Sequence, residues 1–208
     1  MDVLDRLADT SFAWHMVEHL ILLFVIPLLV LLARPLAIAR AIAGKRMTAS
    51  FVRMTHGLHV LGHPALAFVL VTAYLWTLHF SPFYESALEH PLVHAGEHAL
   101  LLAAGTLFWL PVLCPPPMRV LPYPARLFYL MLSLPQGALL AFAIDGARTP
   151  LYPHYAALML PAVALADQQN GAAVMWIGAG MVVFIAFLVT FGAWALHESA
   201  GELTGEAT

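Results

Sequence analysis

Charge is scarce in this chain of 208 residues: Asp, Glu, Lys and Arg together make up 10% of it, against roughly 25% in a soluble domain. So few charges cannot keep the surface of a water-soluble globule solvated. Basic residues are few as well, nine Lys and Arg with a net charge of -3. That excludes the electrostatic footprint of a nucleic-acid binder, so no nucleic-acid partner is expected. A single cysteine, Cys114, excludes an internal disulfide. Low hydrophobicity, the mark of a disordered chain, is absent too: 62% of residues are apolar and the mean hydropathy is +0.83. What remains is a polytopic membrane protein with the lipid bilayer as its solvent. Against that background, eleven histidines outnumber the basic residues, and several fall inside apolar stretches.

A span needs about 20 apolar residues. Five stretches qualify: Phe12 to Leu32, Leu58 to Leu78, Leu92 to Leu113, Ala125 to Ile144 with a kink expected at Pro135, and Ala172 to Leu196. Between the last two, Leu151 to Ala166 is apolar but short and is punctuated by Pro150, Pro153 and Pro161. It reads as a re-entrant or interfacial segment, with a sixth span as the alternative. The expected fold is an all-α transmembrane helix bundle forming a single membrane domain over residues 1–208, with a flexible acidic tail at 197–208.

Positive charge sets the expected orientation. Arg34, Arg40, Lys45, Arg46 and Arg53 fall in a basic loop at 34–55, and Arg119 and Arg126 flank the Pro-rich loop after the third span. Both loops are expected in the cytoplasm. The N-terminus carries Asp2, Asp5 and Asp9 against Arg6, and the loop after the second span carries Glu85 and Glu89. These are expected outside, in a multi-pass membrane protein whose N-terminus faces outward. The acidic leading segment also differs from the basic start of a secretory signal.

One short pattern occurs twice. His15-Met16-Val17-Glu18-His19 and His94-Ala95-Gly96-Glu97-His98 both read H-x-x-E-H, 79 residues apart. Residues i, i+3 and i+4 share one helix face, so each motif presents two imidazoles and a carboxylate along one stripe. Each motif lies near the outer end of its span, and both spans run outside to inside in the charge reading. The stripes are therefore expected at one depth and able to face each other. An ionisable side chain in the bilayer costs roughly 2.5–3.5 kcal/mol and usually faces the protein interior. Imidazole suits Zn, Cu, Fe and Ni, and a carboxylate can ligate or orient a histidine. The plainer alternative is interfacial histidines bonded to water or backbone. Two matched motifs favour a joint metal site of His15, Glu18, His19, His94, Glu97 and His98, with Asp167 helping to receive or release the ion.

His79, His90, Asp145 and His154 fall on the same side and read individually as solvated groups. Met16, Met159 and Met175 are soft ligands in principle but read as packing. His56, His59 and His63 share a face at the other end of span two and read as an interfacial helix start.

The sequence also resembles the polytopic CtaG family of cytochrome c oxidase assembly factors. The resemblance rests on His15 to His19 with Pro27, on Tyr84 through His94, Glu97 and His98, and on Phe108-Trp109. Leu151-Tyr152 with Tyr155, Asp167 to Gly171, and Met175-Trp176 extend it over most of the chain. This chain is shorter than family members with about seven spans, and Asn170 stands where the family pattern would carry Gly. The resemblance implies a role in making a haem-copper oxidase, with copper as the cofactor handled and oxidase subunits or a copper donor as partners. A homo-oligomer stays open. Two other functions compete. A membrane metalloenzyme would use H-x-x-E-H as an inverzincin zinc site or as a di-metal centre with zinc or iron. A b-type haem protein would take axial histidines from spans one and three. The balance favours a protein that is not an enzyme.

Overall fold

The computed structural model describes residues 2–33, 62–113 and 121–204. The basic loop at 34–55, His56, His59, Cys114 with the prolines after it, and residues 205–208 lie outside the described residues. Among the described residues there are helices and no strands, and four helices are long and apolar enough to cross a membrane, or five if one bent pair forms a single span.

A short helix α1 (Asp2–Ala8) leads into α2 (Phe12–Leu32). The helix α2 starts at Ser11, whose extended backbone and side-chain oxygen cap the Trp14 N–H. Proline then marks most of the other starts. Pro64 opens α3 (Pro64–Phe80), Pro82 opens α4 (Pro82–Glu89), and Pro91 opens α5 (Pro91–Leu113). Pro124 stands in the first turn of α6 (Tyr123–Asp145), Pro153 opens α7 (Pro153–Leu158), and Pro161 opens α8 (Pro161–Thr204). A missing N–H costs nothing in a first turn, where that donor has no helical partner. These prolines therefore delimit helices, and the helix α6 runs on through Pro135.

From Pro64 to Leu78 the second expected span lies within the unbroken helix α3, and the chain bends just after it. The helices α3 and α4 meet at Ser81 with a bend of 67°, and Ser81 caps the Phe83 N–H. The short apolar segment is divided: Pro153–Leu158 is a separate helix, whereas Pro161 to Ala166 belong to the 44-residue α8. The last helix thus begins eleven residues before Ala172, the start expected from hydropathy. Its first turns carry Asp167 and Gln168, which look like loop residues in sequence but are paired in the fold. Gln168 is buried, donating to Ile144 O at 3.0 Å and accepting from Leu151 N at 2.6 Å.

The helices α2 and α5 form the heart of the bundle and run parallel. His15 meets His94, His19 meets His98, and Phe24 meets Phe108 and Trp109, so contacts advance together along both chains. Residues Ile21–Val25 of α2 form one π turn just before Pro27, a feature found often at functional sites. Trp109 donates its indole N–H to Phe24 O there at 2.9 Å, pinning the turn to α5. At the same level a Cβ on Gly105 would collide with Leu23 O and crowd Pro27, so only glycine lets the two backbones approach this closely. The helix α8 packs along α6 and α2, and α3 packs on α5.

Candidate metal centre

The parallel pairing of α2 and α5 brings the two H-x-x-E-H stripes face to face. The contacts cross: His19 Nε2 lies 3.4 Å from Glu97 Oε1, and His98 Nε2 lies 3.9 Å from Glu18 Oε1. Within α2, His15 Nε2 and His19 Nε2 are 2.7 Å apart. The rings of His15 and His94 stand 5.5 Å apart across the helix pair. Two sets of three donor atoms lie within 4.8 Å of one another, His15 with His94 and Glu97, and Glu18 with His94 and His98. His94 belongs to both, so the two sets are adjacent positions sharing one imidazole.

Burial grades from one set to the other. His15, His19 and Glu97 are buried, Glu97 completely, while His94 and His98 are partly exposed. Neither oxygen of Glu97 has a hydrogen-bond partner. A buried carboxylate in that condition is costly unless a cation or a proton comes to it. A cleft of about 790 Å³ reaches Glu18, His94 and His98 between Asp9, Glu89 and His154. Acidic and imidazole groups thus line the way from the open end to the buried end.

Supporting residues fix the rings. The Tyr155 hydroxyl donates to Ala8 O at 3.0 Å and stands 3.0 Å from His15 Nδ1. Its one proton is committed to the carbonyl, so it accepts from Nδ1–H, and neutral His15 presents a lone pair at Nε2. Burial holds the Tyr155 phenol above its ordinary value, so it stays protonated. Tyr155 is itself held by α7, whose first turn Glu85 caps by accepting from His154 N at 2.6 Å. Phe12 stacks on Tyr152 at 4.5 Å and closes the floor beneath.

Asp167 is not brought to the cluster. It accepts from Ser11 Oγ at 2.7 Å and from Phe12 N at 2.6 Å, fastening α8 to the start of α2. Gly171, one turn on, is where α8 lies against Phe12: a Cβ there would collide with the Phe12 ring. His90 and Asp145 are exposed, and His154 contacts Asp9 O at 3.1 Å. Met16 is fully buried in the core, and Met175 packs against that core.

His79 and Tyr155 are buried beside the cluster, outside both donor sets, and spacing in the sequence does not single them out. His79 is buried, and its Nδ1 lies 2.7 Å from Leu75 O, to which it donates. Its ring lies 6.4 Å from His19 and stacks on Tyr84 at 6.1 Å. The signal was present as an i, i+4 relation to Leu75 at a helix end, but what covers the ring includes Tyr84, beyond the bend between α3 and α4.

The fold and site together define an all-α polytopic membrane protein with a buried imidazole–carboxylate cluster between two parallel helices. The chain belongs to the Caa3_CtaG family, the cytochrome c oxidase caa3 assembly factors, whose profile matches residues 1–196. It is also similar to uncharacterized proteins of Mycobacterium bovis, Mycobacterium tuberculosis and Mycobacterium leprae. Each is 27% identical over 203 residues, covering 91% of this chain and 31% of the relative. The chain therefore spans about a third of the length of these curated relatives. No solved structure matches.

Proposed function

We propose that this protein serves the assembly of a haem-copper oxidase by binding copper as cargo in the His/Glu cluster between α2 and α5. Family membership supports the assembly role. The observation that carries the copper reading is the crossed pairing, His19 with Glu97 and His98 with Glu18, around a carboxylate that has no hydrogen-bond donor.

The donor set fits such a cargo. It offers imidazole nitrogen and carboxylate oxygen and no thiolate, which suits Cu(II), Zn and Fe more than a closed sulfur site. Two overlapping three-donor positions, neither with four dedicated ligands, are suited to exchange rather than to permanent structural binding. His15 and Glu97 would hold the ion at the buried position, and Glu18 and His98 at the position beside the cleft, with His94 common to both. The acidic lining of the cleft favours entry of a cation. Oxidase subunits or a copper donor would be the partners, docking at the end of the bundle where the cleft opens.

The test is metal content and visible spectrum of the protein purified without chelator, beside the double variant His15→Ala/His98→Ala. Copper in the parent and its loss from the double variant is the expected result. Full stoichiometry in the double variant rejects a joint site, a Soret band assigns the histidines to haem, and zinc or iron with hydrolytic turnover assigns them to an enzyme.

A further inference from the structure

Below the metal donors, on the side toward the middle of the bundle, lies a second feature. A cavity of about 110 Å³ sits between α2, α3, α6 and α8, walled by Val71, Leu140, Trp176 and Val183. Its size is close to the ~150 Å³ apolar cavity that takes up a benzene ring, and its walls are mostly apolar. Yet three of its wall residues, His19, His79 and Gln136, each carry a buried nitrogen without a hydrogen-bond partner, and two of these lie outside the H-x-x-E-H motifs. One is His79 Nε2, buried and without a hydrogen-bond partner. Because His79 Nδ1 donates its proton to Leu75 O, Nε2 of the neutral ring is an acceptor. The other is Gln136 Nε2, a buried donor without a partner. His79 belongs to neither of the two metal-donor sets.

An apolar chamber of one ring's volume, with an orphan acceptor and an orphan donor on its walls, is complementary to a ring that carries hydroxyl groups. We propose that this cavity is a binding site for a membrane-soluble phenol or hydroquinone. A ring hydroxyl donates to His79 Nε2, a ring oxygen accepts from Gln136, and the apolar remainder lies among Val71, Leu140 and Val183. An acyl chain would fill the apolar volume but leave both polar atoms unsatisfied. His19 borders both this cavity and the donor cluster, but the two hydrogen-bonding atoms used here, on His79 and Gln136, lie outside the metal-donor sets and require no metal.

The probes are 4-butylphenol and butylbenzene, titrated by calorimetry into the full chain in phosphatidylcholine nanodiscs, with empty nanodiscs subtracted for partition into lipid. The phenol is expected to bind roughly three- to tenfold tighter than butylbenzene, the effect of one buried hydrogen bond. His79→Phe keeps the ring and removes the acceptor, and should erase that preference while leaving the metal content unchanged. Gly180 lines the cavity and has open space where a Cβ would stand, so Gly180→Ile should block both probes without disturbing the fold. Equal binding of the two probes, no binding of either, a preference that survives in His79→Phe, or loss of bound metal from His79→Phe would each overturn the proposal.

Discussion

The Tyr155 hydroxyl stands 3.0 Å from His15 Nδ1 while its proton goes to Ala8 O. This bond links α7, a helix of six residues that crosses nothing, to the buried end of the donor cluster. It decides which nitrogen of His15 faces the other donors. Outer partners of this kind typically alter metal affinity 10–100-fold. Tyr155→Phe keeps the edge-on contact with Phe12 and the packing but lets His15 turn and change tautomer. Copper affinity should fall within that range, while the helical content and the elution volume stay those of the parent. Competition with a chromophoric chelator reads the affinity, and an unchanged value would mean that His15 is not oriented from outside.

Glu97 and Glu18 occupy equivalent places in their motifs but different surroundings. Glu97 is wholly buried with no hydrogen-bond donor, whereas Glu18 borders the cleft. A buried carboxylate that accepts no hydrogen bond burdens the empty fold, and a neutral amide of the same shape burdens it less. Glu97→Gln should therefore leave the metal-free protein as stable as the parent or more so, while removing the rise in melting temperature expected of the parent on adding copper. Glu18→Gln should retain part of that rise. Thermal unfolding with chelator and with copper separates the two effects. A large drop in the metal-free melting temperature of Glu97→Gln would show that this carboxylate serves the fold instead.

How much of this was readable in the chain depends on the range of the interaction. The bounds of α2 coincide with the apolar run from Phe12 to Leu32, because a cap at Ser11 and a long apolar stretch are local signals. The facing of the two stripes was also legible, since i, i+3, i+4 spacing fixes a helix face and the charge pattern gave both spans one direction. His79 was not, because what covers its ring includes Tyr84 of α4, beyond the 67° bend. Asp167 reads in sequence as one more carboxylate near the donors. Only the packing of α8 on α2 shows it spent on Ser11 and Phe12. The same contacts explain why α8 starts at Pro161: polar residues that look like a loop are satisfied across the bundle.

Asp167 accordingly belongs with stability. Its carboxylate takes the Ser11 hydroxyl and the Phe12 N–H, one of the donors left over at the start of α2. Asp167→Ala should cost about 1–2 kcal/mol, the range for losing a helix cap, and lower the melting temperature in detergent. Copper stoichiometry should hold at temperatures where the variant remains folded. Loss of copper from a variant whose melting curve matches the parent would instead return Asp167 to the donor set.

The alignment of the two motifs depends on how closely α2 and α5 approach, and Gly105 sets that distance. A Cβ at Gly105 would meet Leu23 O and the Pro27 ring, both in or beside the π turn that Trp109 clamps. Backbone cannot swing aside as a flexible side chain can, so Gly105→Ala must push the helices apart. Overpacking of this kind costs roughly 1–3 kcal/mol, and the crossed pairs His19–Glu97 and His98–Glu18 would lengthen with it. Melting temperature and copper affinity should fall together. Gly96 supplies the control: it lies inside the second motif, next to Glu97, yet nothing stands within 4 Å of where its Cβ would be. Gly96→Ala gains helix propensity of up to about 1 kcal/mol and should leave copper binding intact. If the substitution beside the donors weakens binding and the one two turns away does not, helix spacing is not what holds the two stripes in register.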